Sequence, residues 1–125
     1  MTIRSLKNAL IEELCTTYEE AATMQWQAIQ EGSSRTANTQ YKRIVAAWKE
    51  LRSRGQEGQA ALLRLMRSSN PHVRGWAASH VLEFDPGTAE AELTRLANGP
   101  PSPVRLDAEM TLREWRAGRL TFPHD

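Results

Sequence analysis

The sequence lacks the features of secreted, disulfide-stabilised and membrane-spanning proteins. Cys15 is the only cysteine, so no disulfide can form within the chain and the framework of a small secreted domain is excluded. No run approaches the roughly 20 apolar residues that a membrane-spanning helix needs. Lys7, Glu12 and Glu13 interrupt the first apolar stretch, which in this respect differs from a signal peptide. We therefore expect a cytoplasmic protein with no membrane partner.

The sequence motifs of common enzyme and metal-site classes are also missing. There is no glycine-rich phosphate loop, no G-x-S-x-G sequence, and no metalloprotease or zinc-ribbon spacing. His72 and His80 are eight residues apart, whereas a helical metal site favours a spacing of about three or four. Cys15 has no histidine near it in sequence, and we expect a partly buried, unreactive thiol. The sequence thus predicts a protein that is not an enzyme, with no catalytic residue, metal or cofactor.

What remains is the composition of an ordinary globular domain. Of the 125 residues, 40% are hydrophobic and 25% are charged, which is close to the globular average and too apolar for a disordered chain. A chain of this length can bury one core but not two independent ones. We therefore expect a single domain spanning residues 1–125.

Charge is distributed unevenly along the chain. Residues 34–74 contain nine Lys or Arg against two Glu, a net charge of +7, although the whole chain carries only +1. The segments before and after this stretch each have a net charge of −3. Such an arrangement can steer an anionic partner toward one surface, and it can equally reflect solvated helix faces. The sequence leaves both interpretations open.

Apolar spacing and helix-start signals predict about six helices. Apolar residues recur every three or four positions through the first half of the chain, as one stripe of a helix requires. Farther along, Asn70-Pro71, Asp85-Pro86 and Ser102-Pro103 each place a capping side chain before a proline at the first helical position. The predicted helices lie near residues 3–30, 34–54, 57–67, 71–83, 86–98 and 103–117.

An internal repeat relates two parts of the second half at an offset of 31 residues. Two copies of one helical hairpin explain it, because each hairpin has an apolar face that a stacked neighbour can bury. The matched pairs are Leu62 and Leu93, Leu65 and Leu96, Val73 and Val104, Arg74 and Arg105, Ala77 and Ala108, Val81 and Leu112, and Phe84 and Trp115.

These residues resemble known helical repeats. The stretch from Asn70 to Ala78, followed by Val81 and Leu82, is similar to the second helix of a HEAT repeat. Nearly the whole chain resembles a bacterial family catalogued as domain of unknown function two-thousand-nineteen, and the ending around Leu112, Trp115 and Gly118 is the most specific part. The resemblance implies an all-α fold, a right-handed α-α superhelix of HEAT/armadillo-like helical pairs. It implies no activity and no catalytic residues.

Several polar and aromatic residues are predicted to have structural roles. Arg74 and Arg105, at equivalent repeat positions, should bridge neighbouring elements through a carboxylate or carbonyl, with Asp85 and Asp107 as acceptors. The tryptophans are many for this length, and a core position is the favoured interpretation for each of them. Trp48 and Trp115 lie on apolar stripes, whereas Trp26 and Trp76 could instead be interface anchors.

The leading functional hypothesis is a non-enzymatic protein-protein interaction module. Its concave surface, lined by the second helix of each pair, would bind an acidic surface of another protein; an immunity protein or inhibitor of a bacterial toxin is the most concrete form. The residues assigned to this surface are Arg43, Lys49, Arg52, Arg64, Arg67 and Trp76.

The alternative is nucleic-acid binding through the basic segment 34–74, because curved helical repeats can follow a phosphate backbone. The pI of about 8.0, the acidic flanks and the absence of basic residues interleaved with exposed aromatics argue against it.

Overall fold

The structure is a computed structural model that describes residues 6 to 123. Between these residues the chain forms six α-helices and no β-strand, which confirms the predicted all-α class. No helix in this range is both long and apolar enough to cross a membrane. The helices are α1 (Ile11–Glu31), α2 (Ser34–Ser53), α3 (Gln56–Leu65), α4 (Pro71–Val81), α5 (Pro86–Ala97) and α6 (Pro103–Arg116).

The predicted helix over residues 3–30 is interrupted at Leu10. Residues 3–5 lie outside the described residues, and the helix begins at Ile11. Leu10 is extended, with φ −73° and ψ 155°, so the backbone cannot continue as a helix from the turn before it. The backbone N–H of Leu10 donates to the Glu13 carboxylate at 2.7 Å, which fixes the helix start at this point.

A distant arginine accounts for this early turn. The guanidinium of Arg54, at the end of α2, donates to the carbonyl oxygens of Leu6, Lys7 and Ala9 at 3.3, 3.3 and 2.8 Å. These bonds satisfy carbonyls that a continuing helix would have satisfied. Glu50 holds the same guanidinium at 3.2 Å. Apolar spacing alone could not reveal an interaction between segments so far apart in sequence.

The predicted caps are present. The side chains of Asn70, Asp85 and Ser102 accept hydrogen bonds from the backbone N–H groups of the first turns of α4, α5 and α6, at 2.9, 3.4 and 3.2 Å. Gly55, which follows the end of α2, has φ +63°, a left-handed conformation that glycine adopts without steric cost. These signals are local, which is why the sequence was sufficient to place them.

The chain forms two compact units, which divide between Leu65 and Met66. In the first unit α1 and α2 pack along each other and α3 contacts both. The buried core of this unit includes Leu14, Tyr18, Ile44, Leu51 and Leu62.

In the second unit α4, α5 and α6 pack against one another. Its fully buried side chains include Val73, Val81 and Leu93. The contact between α5 and α6 agrees with one copy of the predicted hairpin repeat, whereas α3 and α4 belong to different units. The single domain spanning residues 1–125 remains a prediction, and so does the right-handed superhelix of helical pairs.

Gly58 allows α3 to pack directly against the backbone at the end of α2. A Cβ atom at this position would overlap the carbonyl oxygen and carbon of Leu51. Both atoms are backbone and cannot rotate away, so α3 can dock onto the end of α2 only without a side chain at this point. By contrast, a Cβ atom at Gly87, in the first turn of α5, would meet nothing within 4 Å.

We predict that Gly58→Ala lowers the free energy of unfolding by about 3 kcal/mol or more, because the methyl group forces two helices apart. Gly87→Ala is the matched control and should change stability by less than about 1 kcal/mol, since it adds the same methyl group to a helix in open space. Urea titration followed by circular dichroism measures both values. Equal effects of the two substitutions would contradict the packing described.

Candidate functional site

The predicted basic surface is divided by the core-facing stripe of α2. Successive helical residues advance by about 100°, so Arg43 and Arg52, nine positions apart, point in roughly opposite directions. Arg43 lies on the α1 side, where its guanidinium donates to Gln40 Oε1 at 2.7 Å and lies 3.7 Å from the sulfur of Met24. Arg43 therefore does not share a surface with Arg52, and the grouping made from the sequence needs correction.

The opposite side of α2 carries an aromatic and basic stripe, which we call the α2 flank. Tyr41, Val45, Trp48 and Arg52 follow one another at helical spacings of four, three and four residues. Tyr41 is 48% exposed and Val45 is half-buried, whereas Trp48 is only 4% exposed. The guanidinium carbon of Arg52 lies 5.1 Å from the centroid of the Trp48 ring, within the range of a cation–π interaction.

Lysines extend the positive charge of the α2 flank. Lys42 is exposed and Lys49 is half-buried, and both lie next to the stripe on the helix circumference. The only acidic residue of α2 is Glu50, which lies on the other side and binds Arg54 at 3.2 Å. The side of α2 that carries Lys42, Lys49 and Arg52 thus contains no acidic residue of this helix. Stacked aromatic and arginine side chains beside lysines are suited to binding an acidic surface.

Arg64 is directed toward α1. Its guanidinium lies 3.0 Å from the Glu12 carboxylate and 4.0 Å from the sulfur of Cys15, and both charged side chains of this ion pair are exposed.

Cys15 is partly buried, as predicted. Burial raises the pKa of the Cys15 thiol above its usual value, although the nearby Arg64 opposes the shift. The thiol is therefore protonated at neutral pH, which does not suit a nucleophile.

The two remaining predicted binding residues belong to the second unit. Arg67 is exposed, and within residues 6–123 no carboxylate forms an ion pair with it. Trp76 is half-buried, and its ring centroid lies 5.7 Å from that of His80 with the planes tilted by 37°. Part of the Trp76 ring therefore packs against His80 of the same helix.

Arg74 and Arg105 bind a carboxylate and a carbonyl each, but the predicted acceptors were wrong. Arg74 pairs with Glu92 of α5 at 3.6 Å and donates to the Ser68 carbonyl at 2.8 Å. Arg105 binds Glu109 at 3.0 Å and the Gly99 carbonyl at 3.4 Å.

The two predicted acceptors lie elsewhere in the second unit. The Asp85 carboxylate caps its own helix by accepting from the N–H of Thr88. Asp107 is exposed on another side of α6, two positions from Arg105 and about 160° away around the helix. Arg105 reaches the next turn of its own helix instead.

Glu92 is a polar centre that the sequence interpretation missed. Only 8% of the residue is exposed, and its carboxylate is held by Arg74 of α4 and by Arg95 of its own helix. Its Oε2 atom has no hydrogen bond and relies on the charge of Arg74. The i, i+3 spacing of Glu92 and Arg95 was the available signal, but spacing does not reveal burial.

The tryptophans differ in burial. Trp48 is buried, which confirms its predicted core position, whereas Trp26, Trp76 and Trp115 are all half-buried. Trp115 therefore lies at the edge of its predicted core stripe.

Buried histidines occupy α4. His72 is 6% exposed and His80 is also buried, and burial lowers the pKa of His72 to about 4. In the part of the chain that the structure describes, no three His, Cys, Asp or Glu side chains gather as a metal ion requires. His72 is therefore neutral at physiological pH and forms part of the interior.

Comparison with known proteins assigns the chain to a family. A model described as a domain of unknown function, DUF2019, matches residues 12–115. The chain belongs to this family. The match contains the whole α2 flank and confirms the family resemblance seen in the sequence.

The DUF2019 chain shares its fold with a solved structure. The crystal structure of the protein RPA1889 from Rhodopseudomonas palustris CGA009 matches with a TM-score of 0.87 and 23% sequence identity. The alignment covers 94% of this chain and 98% of that chain. A search of curated proteins found no match. The structural likeness supports the all-helical fold, and at this identity it carries no information on activity.

We predict that Glu92→Ala destabilises the DUF2019 protein by about 1–3 kcal/mol, because it leaves the partly buried Arg74 without its carboxylate. Glu90→Ala is the control, since Glu90 lies on the same helix and pairs with Arg116 at 3.5 Å in a more exposed position. That change should cost less than about 0.5 kcal/mol. Chemical denaturation at pH 7 checks both, and a loss for Glu92→Ala no larger than the control's would contradict a supporting role.

His72 should make stability sensitive to acid. The pKa of His72 falls from 6.5 to about 4 on folding, so its contribution is complete above pH 6.5 and is lost as the pH falls toward 4. The loss amounts to about 3 kcal/mol. His72→Gln removes this titration, so the stability difference between wild type and variant should change between pH 7 and pH 4.5 but not between pH 8 and pH 7. Parallel curves over the whole range would contradict the prediction.

Proposed function

We propose that this DUF2019 protein is a non-enzymatic protein-binding module that recognises an acidic surface through the α2 flank. The observation that carries the proposal is the stacking of Arg52 over Trp48 beside the exposed ring of Tyr41. Tyr, Trp and Arg dominate the energetics of protein interfaces because they bury much area and lose little conformational freedom. The stacked arginine is already held in place, which reduces the entropy lost on binding.

The charge of the flank favours an acidic partner. Lys42 and Lys49 flank the stripe, and α2 supplies no carboxylate on this side. Lysines at the rim of an interface mainly accelerate association and exclude basic partners.

The single cysteine favours action in the cytoplasm. An inhibitor or immunity protein for a bacterial toxin is one form of this function, and it would bind its partner tightly with fixed stoichiometry.

Nucleic acid is the second candidate, because the basic segment 34–74 carries a net charge of +7. Arg54, Arg64 and Arg74 are each held by a carboxylate of the same unit, which reduces the charge available to phosphates. The protein-binding proposal is favoured for this reason. Salt separates the candidates, since binding to duplex DNA weakens with a log-log slope of about 0.9 per phosphate contact.

We predict that Lys42→Glu together with Lys49→Glu weakens partner binding about tenfold or more, because both reversals repel an acidic surface. The partner is a protein captured by the tagged chain from nuclease-treated native lysate, identified by mass spectrometry and titrated calorimetrically with wild type and variant. Lys7→Glu with Arg113→Glu gives the same net charge at exposed positions off the α2 flank and should bind like wild type. A thermal melt of each variant checks that the fold is retained.

Three outcomes would overturn the proposal. Undiminished affinity of the α2 variant excludes the flank as the binding surface. Equal losses in both variants show a response to net charge alone. Capture of nucleic acid only, with a steep salt dependence on generic duplex DNA, favours the second candidate.

A further inference from the structure

An exposed thioether side chain lies beside a fixed guanidinium where α1 and α2 pack together. Met24 on α1 is 43% exposed, and its sulfur lies 3.7 Å from Nη1 of Arg43 on α2. The same nitrogen donates to Oε1 of Gln40 at 2.7 Å, and Gln40 is only 6% exposed. Because Nη1 carries two N–H groups, one can bond to the amide while the other faces the sulfur. The buried amide thus holds an arginine donor against a side chain that solvent reaches.

The contact between Met24 and Arg43 is weak as long as the sulfur is reduced. A thioether is a weak hydrogen-bond acceptor, so it uses the arginine donor poorly. Oxidation to the sulfoxide adds a polar oxygen to the sulfur. A guanidinium N–H that faces this oxygen can form a charge-assisted hydrogen bond, which is stronger than a neutral one. Oxidation at this position would therefore create a polar interaction between α1 and α2, whereas in a protein core it disrupts packing.

The other described methionines have different surroundings. Met66 is 7% exposed, so an oxygen added to its sulfur would have to enter the interior. Met110 is 51% exposed, but within residues 6–123 no hydrogen bond reaches its sulfur. Of the three methionines in this range, Met24 is the one that combines exposure with a positioned donor.

We propose that Met24 is a site of oxidation by peroxide, at which the added oxygen links α1 to α2 through Arg43. In the reaction the sulfur lone pair attacks one oxygen of hydrogen peroxide, so an S–O bond forms and the O–O bond breaks. The departing hydroxide takes the proton from the oxygen now bound to sulfur and leaves as water. The sulfur loses two electrons and the peroxide gains them, so no further reactant is needed.

Oxidation of Met24 should make the first unit more stable. The exposed side chain leaves room for the oxygen, and its three rotatable bonds let the sulfoxide turn toward Arg43. A single charge-assisted bond near the surface has a modest effect, so we expect the thermal midpoint to rise by about 2–4 °C. Arg43 lies on the α1 side of α2, so this role does not depend on the α2 flank.

Treatment of the full chain with hydrogen peroxide tests the proposal. Met66→Leu and Met110→Leu are introduced throughout, because leucine conserves the volume of methionine and does not react. A parallel chain that also carries Met24→Leu reports any effect of Met1 or Cys15, and dithiothreitol added afterwards reduces a sulfenic acid or disulfide but not a sulfoxide. Peptide mass spectrometry measures oxidation at Met24, and circular dichroism measures the thermal midpoint. Oxidation should raise the midpoint by about 2–4 °C in the first chain and leave it unchanged in the second.

Arginine variants test whether the guanidinium causes the rise. With Arg43→Leu, oxidation of Met24 should no longer raise the midpoint. Arg64→Leu is the matched control, since Arg64 also reaches α1 but binds Glu12 at 3.0 Å, and the rise should persist. Met24→Gln offers an amide oxygen without peroxide, and it should exceed Met24→Leu in thermal midpoint only when Arg43 is present.

Three results would overturn the proposal. In the first, Met24 stays reduced under conditions that oxidise the similarly exposed Met110 of the wild-type chain. In the second, Met24 is oxidised but the midpoint stays constant or falls. In the third, the midpoint rises equally in the Arg43→Leu chain, which would show that the oxygen acts without this arginine.

Discussion

The packing of α2 between α1 and α3 decides which charged groups of the first unit face solvent. Ile44, Trp48 and Leu51 fill the core, so the residues on either side of this stripe are separated by the helix itself. On one side Arg54 is used to hold the turn before α1. On the other side the half-buried Arg52 lies over the buried indole of Trp48. Arginines of one short segment thus have different contacts, according to the side of the helix on which each of them lies.

Features that depend on residues close together in sequence were predicted correctly, whereas features that depend on distant residues were not. Caps such as Asn70 and Ser102 were predicted because each bonds to a backbone group two or three residues away. The start of α1 was misplaced because Arg54, more than forty residues away, competes for the carbonyls of the preceding turn. Apolar periodicity continues through that turn and cannot report a hydrogen bond from elsewhere.

In the candidate site, too, contacts between different helices could not be predicted from the sequence. The separation of Arg43 from Arg52 followed from helix geometry and could have been predicted by counting 100° per residue. The contact of Arg43 with Met24 could not, since it depends on how α1 and α2 pack. For Arg74, the type of acceptor was predictable but its identity was not, because Glu92 reaches it only once α4 and α5 are in contact.

Salt should act in opposite ways on the two kinds of side chain in the α2 flank. Screening over about 8–10 Å at physiological ionic strength weakens the attraction of its lysine and arginine charges for an acidic surface. The exposed ring of Tyr41 and the half-buried Val45 add apolar area, and sulfate, an ion excluded from protein surfaces, strengthens the burial of such area. At equal ionic strength, binding at the flank should therefore weaken less in sodium sulfate than in sodium chloride.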